Sequence, residues 1–299
     1  MRIALIGQSD FGKDVLDALI KDQKNIVGVF CPPDSKEGQF DPIKESAQSH
    51  KIDLYQFGRL RDPDPITTFL SLNVDLCVMA FVTDIVPMEI INSPNLGTIQ
   101  YHPSLLPLHR GPSSMNWPII AGKKETGLSI FWPDDGLDTG PILASKELDL
   151  DQNTTHGDIE KKLSKIGAKL LIENLKNIQD VNSKFINQKH LEATYAKKIN
   201  KNETKINWKL DANKVLAHIH GLSPNPGAWF EYEKERFKVL RAKVSATKGK
   251  PGVVLDNNLT IGCKSSSIQI LELQRQGKNK QTSEEFLLGK TINKGSILS

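Results

Sequence analysis

Cysteine is scarce: three residues in 299, at positions 31, 77 and 263, with no CxxC pair among them. That spacing writes neither a disulfide framework nor a zinc site. No apolar run approaches the roughly 18 to 20 residues of a helical membrane span, which excludes an integral helical membrane protein and removes the membrane as a partner. The opening, MRIALIGQSDFG, has a short apolar run without a cleavage-site pattern, so it reads as a first strand and not as a signal peptide. The cytoplasm is the expected compartment. A GxGxxG is also missing. Gly7-x4-Gly12-Lys13 comes near a phosphate-cradling loop, but Asp14 follows, with no hydroxyl for the magnesium position and a charge that repels phosphate. The glycines are better spent on a tight strand-to-helix turn.

What is present is ordinary soluble-protein material, 38% hydrophobic and 25% charged, in a length sufficient for two domains. The net charge of +4 conceals an asymmetry. Residues 1–190 carry 20 Lys and Arg against 25 Asp and Glu, a net of −5; residues 191–299 carry 19 against 10, a net of +9. An acidic front joined to a basic back suggests two bodies with different partners, the back facing either solvent or a polyanion such as nucleic acid.

Strand-like and helix-like segments alternate along the front. Arg2–Ile6, Asn25–Cys31, Val74–Phe81, Gly97–His102 and Thr126–Trp132 read as strands. Lys13–Lys21 has its apolar residues at helical spacing. This alternation predicts an α/β fold with a Rossmann-like, doubly wound parallel sheet, in which ligands sit at the carboxyl ends of the strands. Asn153–Ile178 reads as a long amphipathic helix capped by Thr154 or Thr155. The polar stretch 179–201 reads as a linker. A short helix over Asp211–His220 follows, and then short alternating segments at Ala228–Tyr232, Phe237–Arg241, Gly252–Leu255, Leu259–Cys263 and Ile268–Leu273, the pattern of a small β-barrel. The expected organisation is a catalytic domain over 1–190, a linker over 191–201 and a β-barrel domain over 202–299.

Two clusters carry chemistry. In GTIQYHPSLLPLHRG (residues 97–111) a strand delivers Gln100 and His102 in the same side-chain direction, and Pro103 ends the ladder so that His102 stands at the strand's carboxyl end. His109 reads as a loop residue. Neither histidine has a carboxylate or second histidine at metal-ligand spacing, so no metal is expected. In WPDDGLDTG (residues 132–140) three carboxylates lie within five residues of a glycine-rich turn. Asp138, between Gly136 and Gly140, is the best placed to approach a ligand.

HPSLLPLHRG followed by SIFWPDDGLDTGPIL resembles the signature of the 10-formyltetrahydrofolate-dependent formyltransferase family, with His102 and Asp138 36 positions apart. The resemblance covers nearly the whole chain. The front (IGQSDFG, VGVFCPPD, YHPSLLP, FWPDDGLDTG) is most similar to the family's 10-formyltetrahydrofolate hydrolase branch. The back (TYAKKINKNETKINW, IQILELQRQGKNKQTSEEFLLGK) looks more like its methionyl-tRNA branch. The resemblance implies that His102 is the catalytic histidine and Asp138 the essential aspartate. It implies that Ser104, Leu105, Leu106 and Pro107, with Asp84, Ile85 and Val86, line the site of the formyl donor, 10-formyltetrahydrofolate. Trp132, Asp134 and Asp135 would close over its pterin. An amine is the implied acceptor, methionyl-tRNA first among amines, the tRNA meeting the basic back half.

Two departures from the family pattern bear on the acceptor. Where transferases of the family carry asparagine two residues before the histidine, this chain has Gln100, an amide one methylene longer. After CPPD the chain runs SKEGQFDP and lacks the basic, glycine-containing loop with which tRNA-directed members hold an acceptor stem. Both departures keep hydrolysis of 10-formyltetrahydrofolate to tetrahydrofolate and formate open as an alternative, beside formylation of an amino sugar. A binding protein without catalysis is disfavoured because His102 and Asp138 are both present.

Overall fold

The computed structural model describes residues 1–34, 40–178 and 185–299. Residues 35–39, most of the loop after CPPD, and residues 179–184, the first part of the linker reading, lie outside the described residues. The elements run β1 (Arg2–Gly7), α1 (Ser9–Lys21), β2 (Asn25–Cys31), α2 (Pro42–Ser49), β3 (Leu54–Gln56), α3 (Pro63–Ser71), β4 (Leu76–Ala80), α4 (Met88–Ile91), β5 (Thr98–His102), α5 (Asn116–Ile120), β6 (Glu125–Phe131), β7 (Ile142–Asp149) and α6 (His156–Ile178). There follow α7 (Ala212–Leu222), β8 (Ala228–Tyr232), β9 (Glu235–Ser245), β10 (Thr260–Gly262), β11 (Ser267–Arg275), β12 (Lys280–Thr282) and α8 (Ser283–Gly289).

Seven strands form the larger sheet in the order β3-β2-β1-β4-β5-β6-β7. β1 has β2 on one side and β4 on the other, both parallel, so the winding reverses at β1 as in a Rossmann-like sheet. β4, LCVMA, is buried at all five positions, as expected of a strand covered on both faces. Parallel pairing holds from β3 through β5. It stops at β6, which runs antiparallel to β5 with Gln100 opposite Phe131 and His102 opposite Ser129. The sequence could not announce this reversal: six of the seven residues of β6 are buried, the same apolar signature a parallel strand leaves. β3 and β7 were not expected either. β3 is three residues long, and β7 (ILASKELD) exposes half its length.

The small β-barrel expected of the back half is a five-stranded antiparallel sheet, with β8, β9, β11 and β10 neighbours in turn and β12 paired to β11. The expected strand at Gly252–Leu255 makes only single bridges, Val253 to Ile297 and Val254 to Ile261. The chain divides into two compact units. The first comprises Met1–Gly111, Gly127–Glu147 and Lys161–Tyr195, with a core that includes Ile6, Phe30, Phe69 and Met79. The second comprises Pro112–Thr126, Leu148–Glu160 and Ala196–Ser299, with Trp208, Leu216, Phe230, Phe237 and Ile270 in its core. Thr155 closes the start of α6 as expected. Its Oγ1 accepts from Asp158 N–H at 3.2 Å, and the Asp158 carboxylate accepts from Thr155 N–H at 3.1 Å. No helix among the described residues is long and apolar enough to cross a membrane.

Candidate active site

β5 ends on His102, which is buried to 5% exposure, while Gln100 on the same strand is half-buried. His102 stands edge-on to Phe131, the rings at 88° and 6.4 Å apart. Its Nε2 hydrogen-bonds the carbonyl of His109 at 3.1 Å, so that nitrogen carries the proton and donates it. Its Nδ1 faces Asp138 Oδ2 at 3.6 Å, too long for a hydrogen bond but close enough for the carboxylate to act on the ring's charge. Burial lowers the imidazole below its ordinary proton affinity; Asp138 and the His109 carbonyl pull the other way and do not overcome it.

Asp138 reaches this position from a bent turn. Its φ is +54°, a left-handed conformation few non-glycine residues adopt, and its Oδ2 accepts from Gly111 N–H at 2.8 Å. Gly140 is obligatory at the end of the turn, since a Cβ there would lie 1.8 Å from the Trp132 carbonyl oxygen. The two carboxylate-bearing neighbours behave differently. Asp134 is exposed and accepts from Gly136 N–H and the Thr139 hydroxyl, so it shapes the turn; Asp135 is exposed.

The Ser104–Pro107 loop is held beside the strand end. Ser104 is wholly buried and donates to Leu108 O at 2.7 Å, and the Ser129 hydroxyl joins Ser104 O to Leu106 N–H. Leu106 is buried with Phe131 and Ile142, while Leu105 and Pro107 are half-buried. Asp84 lies in the wall of a pocket of about 180 Å³ at the carboxyl ends of β1, β2 and β4, together with Gly7, Phe30, Leu60 and Val82. Its carboxylate accepts from Leu60 N–H and Ile85 N–H; Ile85 is exposed and Val86 half-buried. The structure does not bring Trp132 to His102. The indole packs at Gly97, where a Cβ would stand 3.1 Å from the ring, at the opposite end of β5.

Sequence reasoning missed Arg110 and Gln188. Arg110 is 1% exposed and hydrogen-bonds Gln188, whose amide in turn holds the carbonyls of Asp138 and Gly140. The signal for Arg110 was its place in the HRG end of the first cluster; Gln188 gave none. The three cysteines are buried and their thiols pushed up, to about 11 for Cys31 and Cys263 and about 12 for Cys77, so none is a ready nucleophile. Among the described residues no three His, Cys, Asp or Glu side chains gather as for a metal ion.

A family model described as formyl transferase matches residues 1–175, and one described as formyl transferase, C-terminal domain, matches residues 198–291. The chain is 35% identical to a methionyl-tRNA formyltransferase of Parvibaculum lavamentivorans and 34% identical to one of Paramagnetospirillum magneticum, each over the full length of both proteins. Among solved structures, HypX from Aquifex aeolicus in complex with tetrahydrofolic acid superposes with a TM-score of 0.73 at 18% identity. It covers all of this chain, which spans half of the HypX chain. The methionyl-tRNA formyltransferase from Clostridium thermocellum gives 0.59 at 21% identity over 82% of this chain and 94% of its own. At these identities the structures speak for the fold alone.

Proposed function

The chain belongs to the formyl transferase family, and from that membership we propose that it moves the formyl group of 10-formyltetrahydrofolate to the amino group of methionyl-tRNA. The observation that carries the site assignment is the approach of Asp138 to within 3.6 Å of His102 at the end of a central strand. The acceptor nitrogen attacks the formyl carbon, and the carbonyl oxygen becomes an oxyanion. The amine sheds one proton to the His102–Asp138 pair. The ring's Nδ1 faces the carboxylate at 3.6 Å, so an imidazolium that forms there is stabilised by Asp138. That positive charge, with the Gln100 amide, which has no side-chain partner among the described residues, stabilises the oxyanion. Collapse breaks the bond from carbon to folate N10, and N10 recovers the proton. The Ser104–Pro107 loop and the Asp84–Val86 segment are assigned to the folate, with Trp132, Asp134 and Asp135 closing over its pterin. The acidic front carries the chemistry, and the back, with its net +9, has a physical reason to meet RNA. A cytoplasmic location accompanies this reading.

The test is 10-formyltetrahydrofolate consumption with and without methionyl-tRNA. Consumption that requires the tRNA and yields formyl-methionyl-tRNA, weakening steeply as salt rises, supports the proposal. Equal consumption without tRNA, with formate released, replaces it with hydrolysis.

A further inference from the structure

Arg110 heads the fully enclosed side chains by size. A buried guanidinium is costly unless its donors are met, and among the described residues no carboxylate pairs with this one. Neutral acceptors hold it instead. Gln188 Oε1 accepts from Nε at 3.2 Å and from Nη2 at 2.7 Å, and His190 Nδ1 accepts from Nη2 at 3.2 Å. On its other side the Gln188 amide spends both protons: Nε2 donates to Asp138 O at 2.9 Å and to Gly140 O at 2.7 Å. The orientation of that amide is forced, because guanidinium only donates and backbone carbonyls only accept. Backbone contacts fix the same segment against the HRG loop. Arg110 N–H donates to Thr194 O at 2.9 Å, and His109 N–H to Thr194 Oγ1 at 2.8 Å.

The two carbonyls that Gln188 holds flank Thr139, at the strained point of the turn, where Asp138 has φ +54°. Gly111 N–H and the Asp134 carboxylate also tie this turn, but only Gln188 holds the carbonyls on both sides of Thr139, and without that grip the left-handed Asp138, whose carboxylate faces His102, is free to relax. We propose that Arg110 and Gln188 are positioning residues for formyl transfer: the enclosed guanidinium orients the amide, and the amide holds Asp138 in the turn that faces His102. The inference rests on His102 and Asp138 as the reacting pair. Were the amide there only to satisfy Arg110, its loss would lower stability and leave the chemistry of the folded molecules unchanged.

Gln188→Glu separates the two. It keeps the length and gives Arg110 a charged acceptor, but sets a carboxylate oxygen, without protons, against the two carbonyls. The anchor survives and the grip on the turn is lost. The expected result is a kcat lower by about tenfold to a hundredfold, in line with a displacement of about 1 Å at the reacting groups. The KM for the folate donor should stay within about twofold; the two carbonyls left unpaired lower the melting temperature, so kcat is taken per folded molecule. A second readout needs no substrate: the NMR titration of His102 should move to lower pH, because a displaced Asp138 no longer supports the ring's charged form. Arg110→Lys, which has no fork to orient the amide, should shift both readouts the same way and serves if the glutamate variant does not fold. A folded variant with parental kcat overturns the proposal, and so does a fall in kcat with the His102 titration unmoved. If the parent itself transfers no formyl group, the reaction assignment fails while the titration still decides whether the brace sets the His102–Asp138 geometry.

Discussion

Two histidines, one in each unit, are buried almost equally and do different things. His220 is 1% exposed; its Nδ1 donates to Gln152 O at 2.9 Å and its Nε2 accepts from Ala242 N–H at 3.3 Å. His102 is 5% exposed and also donates one N–H to a backbone carbonyl, but its other nitrogen faces a carboxylate. Burial holds both below the ordinary imidazole value. The difference lies in the neighbour of the second nitrogen. A backbone amide offers a fixed proton that never leaves, so His220 is locked in one tautomer and serves the core. A carboxylate makes protonation of the ring reversible and worthwhile, which is what acid–base chemistry needs.

The largest effect is expected from His102→Ala. It should cut formyl transfer by at least a hundredfold, about 3 kcal/mol of barrier, with the fold intact by circular dichroism; retained turnover would end the distinction drawn above. Acid comes next. His156, half-buried with its Nδ1 enclosed and without a hydrogen-bond partner, is lowered to about 4, and His218 and His220 are lowered as well. The unfolded chain, titrating near 6.5, binds more protons than the folded one once pH drops below that value. Stability is therefore full above 6.5 and lost between 6.5 and about 4, His156 alone accounting for about 2 kcal/mol between pH 7 and pH 5 in urea titrations. His156→Phe should flatten that slope. His220→Ala should cost about 1–3 kcal/mol by leaving Ala242 N–H and Gln152 O unpaired, with turnover per folded molecule unchanged. The smallest effect is that of Gln100→Asn, which should raise transfer to an amine a few-fold if the extra methylene misplaces the amide; an unchanged or lower rate would remove that explanation.

The pieces that proved legible were those written locally. Asn25–Cys31 and Ala228–Tyr232 match their strands residue for residue, because alternation and flanking turn residues sit side by side in the chain. His102 was legible as a strand end because Pro103 follows it. What stayed hidden is information carried between distant residues. Strand direction leaves no mark on burial, so the reversal at β6 was invisible. Arg110 and Gln188 are 78 positions apart, and a glutamine in a polar stretch between a helix and a barrel looks like solvent-exposed chain until the guanidinium is folded against it. The packing of the Trp132 indole at Gly97 was hidden as well, because it depends on the antiparallel pairing of β5 with β6.

The second unit is assembled from three stretches of chain, and its interior bonds reach across them. Asn116 donates to Gly221 O, Arg241 holds Asp158, and His220 leans on Gln152. A protease nick or a gene truncation near residue 195 would therefore not yield a free-standing carboxyl-terminal body. It would release one stripped of α5 and of residues 148–160, with a buried histidine and an arginine suddenly missing their counterparts. During synthesis the early stretches must likewise wait for the last hundred residues to leave the ribosome before they find their place, so this half of the protein matures late and as a whole.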